Sequence, residues 1–179
     1  TGWLFLGRDD PGEGEILAEI EEVDRLTAAS DFARAYDLVG VLDRRIRDDS
    51  LRTELWARVA VPLTLETDPP KARVLRRDYT PRGAEWEEIG TTPLTIDRFP
   101  RGQSRVRFEL DGYQSREFAT GERDLARISP LTLELEGASP EGMVPLIGNA
   151  GSDAYGLFAP GLEHVPNVAL GEFRMAETE

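Results

Sequence analysis

Few side chains in this chain are of a type that does covalent chemistry. The single histidine, His164, sits in Gly161-Leu162-Glu163-His164-Val165-Pro166 beside one carboxylate. No serine or cysteine motif accompanies it as a nucleophile, so it reads as a solvated loop residue. The chain has no cysteine, which removes disulfides, thiolate metal sites and thiol nucleophiles and leaves the redox compartment open. Asp9, Asp10, Glu13 and Glu15 gather carboxylates, but Asp-Asp-Pro-Gly-Glu-Gly-Glu lacks the alternating ligands of a calcium loop. Solvation and the positively polarised start of a helix account for them. The expectation is a protein that is not an enzyme and holds no cofactor and no metal.

What remains is chemistry of recognition. Tyr79, Trp86 and Tyr113 are candidates for an aromatic platform under a sugar of a wall polymer, because aromatic faces offer apolar area with polar tips. The plainer assignment puts Trp86 over one edge of a small core and has Tyr113 close a turn. Arg105 and Arg107, with Arg73, Arg76, Arg77, Arg98 and Arg101, are candidates for binding a polyanion through planar forks. Their plainer role is pairing with Glu109, Glu134 and Glu136 on an exposed sheet face, where each pair contributes about 0 to 1 kcal/mol.

These residues lie in a stretch with the period of β-strands. Leu63 and Leu65 alternate with Thr64 and Glu66; Val106, Phe108 and Leu110 alternate with Arg105, Arg107 and Glu109. Leu131, Leu133 and Leu135, between Thr132, Glu134 and Glu136, have the pattern of a closing strand. Pro69-Pro70 must end the first strand, since proline has no amide hydrogen for a ladder. Pro93 restricts Thr92 to extended geometry before Leu94-Thr95-Ile96, and Asp111-Gly112 is a tight-turn pair. A small antiparallel β-sandwich over residues 61 to 137 follows.

Asp68-Pro69-Pro70-Lys71-Ala72, Ile89 to Leu94, Pro100-Arg101-Gly102 and Gly112-Tyr113, in this order, resemble the corners of the PEGA domain, a short bacterial β-sandwich module. Lys71 stands where that family carries glycine, and lysine accepts positive φ poorly. Asp78 to Trp86 is longer than the family's turn and reads as an insertion between the second and third strands.

Before the sandwich the period lengthens to about 3.6, the mark of helices. Ile16, Leu17, Ile20, Val23 and Leu26 share one face. Ser30 or Asp31 caps a second helix with the stripe Phe32, Ala35, Tyr36, Val39, Leu42 and Ile46. A third runs from Ser50 through Leu51, Leu55, Trp56 and Val59. Ala28 to Tyr36 resembles one tetratricopeptide repeat. A single repeat cannot bury its own apolar face, so the helices are expected to pack on the sandwich or on further chain, with Trp56 as a contact. Residues 1 to 60 therefore form an apolar arm and a helical hairpin of about three helices. Within the arm, Trp3-Leu4-Phe5-Leu6 is either the trailing end of an apolar helix that starts before Thr1 or an arm docked on the helices. The lack of a starting methionine favours an internal fragment.

Residues 138 to 179 are broken by glycine and proline and read as loops with short strands. Met143-Val144-Pro145-Leu146 and Val168 to Glu179 resemble the opening strands of a formylglycine-generating-enzyme-like (sulfatase-modifying) domain. That family's activity uses paired cysteines, so no activity is carried to any residue here. The fold class expected is α+β.

The series of hairpin, PEGA-like sandwich and opening of that domain resembles the outer region of bacterial membrane-anchored Ser/Thr protein kinases. This implies a non-catalytic extracytoplasmic region that binds, senses or spaces, in periplasm or at the cell surface and tethered to the inner membrane in the full-length protein. The alternative is an accessory front half that positions a downstream formylglycine-generating-enzyme-like domain. Expected partners are a cell-wall polymer or an envelope protein, and neighbouring domains of the same chain. Nucleic acid is not expected, because 21 basic against 34 acidic side chains leave a net charge of −13. No stretch reaches the roughly 20 apolar residues that span a bilayer, so membrane contact is expected only through a segment before Thr1.

Overall fold

The computed structural model describes residues 11–79, 85–140, 142–146 and 173–176. Trp3 to Leu6, Asp9, Asp10 and His164 lie outside them, as do residues 80–84 of the expected insertion.

Three helices open the fold: α1 (Pro11–Ala28), α2 (Phe32–Leu42) and α3 (Asp49–Val59). Helix α1 ends where Asp31 N donates to Leu26 O and Ser30 N to Thr27 O, with Ser30 at φ 60, the paired closure of a left-handed cap. The side chain of Asp31 then accepts from Arg34 N and caps α2, and Asp48 caps α3 through Leu51 N. Val23, Leu26, Ala35, Val39, Leu42, Ile46, Leu55 and Val59 bury one apolar core between the three helices. Leu17, expected on the buried face, is 62% exposed. It is one residue, about 100° of helix, away from Ile16, which packs inward as Ile20 does.

Helix α3 passes directly into strand β1 (Ala60–Leu65), whose first residue, Ala60, still belongs to the helical core. Strands β2 (Thr67–Asp68), β3 (Arg73–Asp78), β4 (Glu87–Thr91), β5 (Leu94–Pro100), β6 (Ser104–Glu109) and β7 (Arg116–Thr120) follow. After them come helix α4 (Glu122–Ile128) and strands β8 (Leu131–Thr132), β9 (Met143–Leu146) and β10 (Phe173–Ala176). Antiparallel β1 and β5 form one layer; the other is a four-stranded sheet in the order β4-β3-β6-β7, also antiparallel. Leu63, Leu65, Ala72, Val74, Phe99, Val106, Phe108, Leu125, Leu131 and Leu133 form the second core. The architecture is α+β, a helical N-terminal part joined to a β-sandwich-like core.

Two proline corners are tied to each other. Thr67 and Thr92 hydroxyls lie 2.6 Å apart, and Ala72 N donates to Thr92 Oγ1 at 3.0 Å. Thr67 donates its hydroxyl hydrogen to Pro69 O, so the hydrogen between the two threonines belongs to Thr92. Lys71, between these groups, sits at φ 78, a conformation that costs a non-glycine residue about 1–2 kcal/mol.

The expected closing strand is shorter than its pattern. Only Leu131–Thr132 form a strand, parallel to the two residues of β2, and Pro69-Pro70 supply no amide hydrogen to lengthen the ladder. Leu133 stays buried, whereas Leu135 is 59% exposed and meets Tyr113 in an isolated bridge. Helix α4 has no counterpart in the periodicity, because its seven residues bury only Leu125.

Candidate functional site

Alternation along β3 and β6 sorts the four-stranded sheet into two chemistries. Val74, Val106 and Phe108 point into the core, while Arg73 and Arg77 on β3 share the outer face with Arg105, Arg107 and Glu109 on β6, and with Glu117 on β7. A bulge decides what β4 adds. The β3–β4 register jumps from Val74↔Gly90 to Leu75↔Glu88, so Ile89 is the extra residue and packs against the core. The same jump carries Glu88 and Trp86 to the arginine side. Trp86 is half-buried there, its ring centre 4.1 Å from the Arg107 guanidinium and 4.5 Å from that of Arg77. Arg105 lies 5.8 Å over the ring of Tyr79, which is 49% exposed.

Glu117 is the hub of this face. Arg105 reaches its Oε1 at 2.9 Å, Arg107 its Oε2 at 2.9 Å through Nη2 and 3.3 Å through Nε, and Arg77 approaches Oε1 at 3.7 Å. Partial burial works against the charged carboxylate, yet the bonds from Arg107 and Arg105 outweigh it, and its pKa falls below the ordinary value. Farther along, Arg73 takes Glu88 at 2.9 Å and Glu109 at 3.5 Å. Arg107 also meets Glu109 at 3.5 Å.

The fold thus gathers four of the five candidate residues, Tyr79, Trp86, Arg105 and Arg107, on one solvent-facing sheet surface. Tyr113 is not among them. Tyr79 follows Asp78, which pairs with Ser104 at the start of β6; Tyr113 comes after the other end of that strand, where its N donates to Leu110 O and its ring packs on the sandwich core. A three-ring platform is therefore not formed. Trp86 differs from its plainer assignment as well, since it lies against guanidiniums on the polar face. The ring area that a sugar would stack on is in contact with Arg77 and Arg107.

Of the expected acidic partners, Glu109 serves as described, but Glu134 does not reach this face. It accepts from the hydroxyl of Ser139 and pairs with Arg174 of β10 at 2.9 Å, and these contacts, Ser139 first, hold its pKa below the ordinary value. Glu117 is not distinguished by its sequence context. Its only signal is alternation with Phe118, the inward residue that packs edge-on to Phe108.

A second Trp–Arg–carboxylate cluster joins the helices to the sandwich. Trp56 Nε1 donates to Asp43 Oδ1 at 2.8 Å, and Arg98 of β5 lies 4.3 Å over the Trp56 ring and 3.5 Å from Asp43. Tyr36 meets Trp56 edge-on and donates its hydroxyl to Arg98 O at 3.1 Å. Trp56, then Arg98, hold the carboxyl of Asp43 below its ordinary pKa, while burial pushes the Tyr36 hydroxyl up. Beside this joint an open groove of about 440 Å³ is lined by Thr53, Trp56, Val61, Pro62, Arg98 and Arg101 among others.

No protein-family model, no curated protein and no solved structure matches the chain. Among the described residues, no group of histidine and carboxylate side chains has the arrangement of a metal site, and no helix is long and apolar enough to cross a membrane.

Proposed function

We propose that this chain is a non-catalytic extracytoplasmic region of a larger bacterial protein, a membrane-anchored Ser/Thr kinase, and that its sandwich binds a component of the cell envelope while the helices hold the sandwich in place. The likeness of its corner sequences to PEGA modules supports the setting. One observation carries the binding role: on a chain of net charge −13, three arginines with two aromatic rings beside them converge on a single carboxylate and face solvent. Guanidinium forks and aromatic rings are the groups most used in recognition surfaces.

The test is retention of the whole chain on isolated bacterial envelope. Retention that drops in an Arg105→Gln/Arg107→Gln variant supports the reading; retention no greater than that of an unrelated protein of equal net charge overturns it. A second reading, an accessory part that positions a formylglycine-generating-enzyme-like domain, is favoured by the β9–β10 ribbon, where Phe173 and Met175 are 41% and 52% exposed. Such a domain would cover these two side chains.

A further inference from the structure

The outer face of the four-stranded sheet sets four arginines, Arg73, Arg77, Arg105 and Arg107, against three carboxylates, Glu88, Glu109 and Glu117, and the excess gathers at Glu117. Arg77, Arg105 and Arg107 place three positive charges around one carboxylate, Glu117. The next acid along the face, Glu109, stands at 3.5 Å from Arg107 and is shared with Arg73. Arg77 Nε is shielded from solvent and makes no hydrogen bond among the described residues. Guanidinium groups offer five donors in a fixed fork, so most of the donor capacity here is left to water or to an outside acceptor.

We infer that Glu117 occupies, as an internal stand-in, the seat of a carboxylate supplied by an acidic, extended segment of a partner protein. This inference rests on the reading of the sandwich as a binding module. A carboxylate is the anion the geometry fits, because one already sits there with an oxygen toward each of Arg105 and Arg107. A peptide is the form of the partner because Glu117 belongs to β7, the terminal strand of the sheet, which pairs with β6 alone among the described strands. A strand laid along such an edge gains main-chain hydrogen bonds, and every second side chain points to the arginine face.

The experiment uses the whole chain and a fluorescein-labelled alternating Glu-Val peptide, read by fluorescence anisotropy, with the Gln-Val peptide as the uncharged control. Glu117→Gln removes the stand-in and is expected to tighten binding of the Glu-Val peptide by about tenfold, the scale of one close charge pair. Arg105→Gln/Arg107→Gln is expected to weaken it by about tenfold or more, with the thermal midpoint followed in parallel to confirm the fold. Binding by Glu117→Gln that is unchanged or weaker overturns the inference, and that arm does not depend on how well the arginine variant folds. Equal binding of the Gln-Val peptide, or tighter binding of a polyuronate at matched carboxylate concentration, overturns the assignment to an acidic peptide. Envelope retention without peptide binding sinks this inference alone, and peptide binding without envelope retention sinks the envelope reading alone.

Discussion

The molecule uses tryptophan, arginine and carboxylate twice, with opposite arithmetic. At the joint between helices and sandwich, Trp56, Arg98 and Asp43 stand one to one to one, the indole N–H is bonded to the acid, and Tyr36 closes the set. On the outer sheet face Trp86 meets two arginines, and three arginines meet Glu117. A balanced cluster has little left to offer an outside charge and serves as a fastening. An unbalanced one keeps open donors and is where an outside anion gains most.

Substitutions test whether the two clusters differ in this way. Trp56→Ala is expected to cost about 3 kcal/mol of stability, the lower end for losing a large packed aromatic, measured by urea unfolding. Equal costs for Trp56→Ala and Trp86→Ala would erase the distinction. Gly102→Ala should destabilise by about 1–3 kcal/mol, because Gly102 has φ +87 and an added Cβ would lie 3.1 Å from the ring of Phe32. A cost above that of Gly112→Ala, where φ is +80 and no atom lies within 4 Å of the added Cβ, would show that the bond between the two halves extends beyond Trp56. Lys71→Gly should stabilise by about 1 kcal/mol by releasing its positive φ, with no effect on either cluster. Trp86→Ala is expected to cost under about 1 kcal/mol, the scale of an exposed cation–π contact, and to act on ligand binding instead.

Acid should weaken both clusters. The folded pKa values of Asp43 and Glu117 lie below their ordinary values of 3.8 and 4.5. The stability they contribute is therefore whole above those values and is lost as pH falls through the folded ones. Unfolding midpoints followed downward from pH 5 should fall less steeply in Asp43→Asn and Glu117→Gln than in the parent; a parallel fall would show that Asp43 is not stabilised by Trp56 and Arg98, nor Glu117 by Arg107 and Arg105.

Much of the framework is legible in the letters because it rests on short-range rules. Leu63/Leu65 and Val106/Phe108 alternate, prolines stop strands, and Ala35, Val39 and Leu42 recur at helical spacing. The site is legible only in part. Arg105 and Arg107 could be named from their strand, but their shared acid lies on a neighbouring strand, and which acid it is depends on register. Trp86 reaches the arginine side only through the bulge at Ile89, and a shift of one residue would send it to the other face. Leu135 kept the pattern of a strand without gaining one, since alternation describes faces and a ladder also needs a neighbour of sufficient length.

Because α3 enters β1 with no residue between them, and Arg101 N also donates to Val59 O, the helices are geared to the sandwich. Helix α3 has eleven residues, a lever roughly 16 Å long. A tilt of its far end would be passed to β1 and, through their shared ladder, to β5 and Arg98, so torque applied to the bundle would reach the layer that lies behind the arginine-bearing sheet.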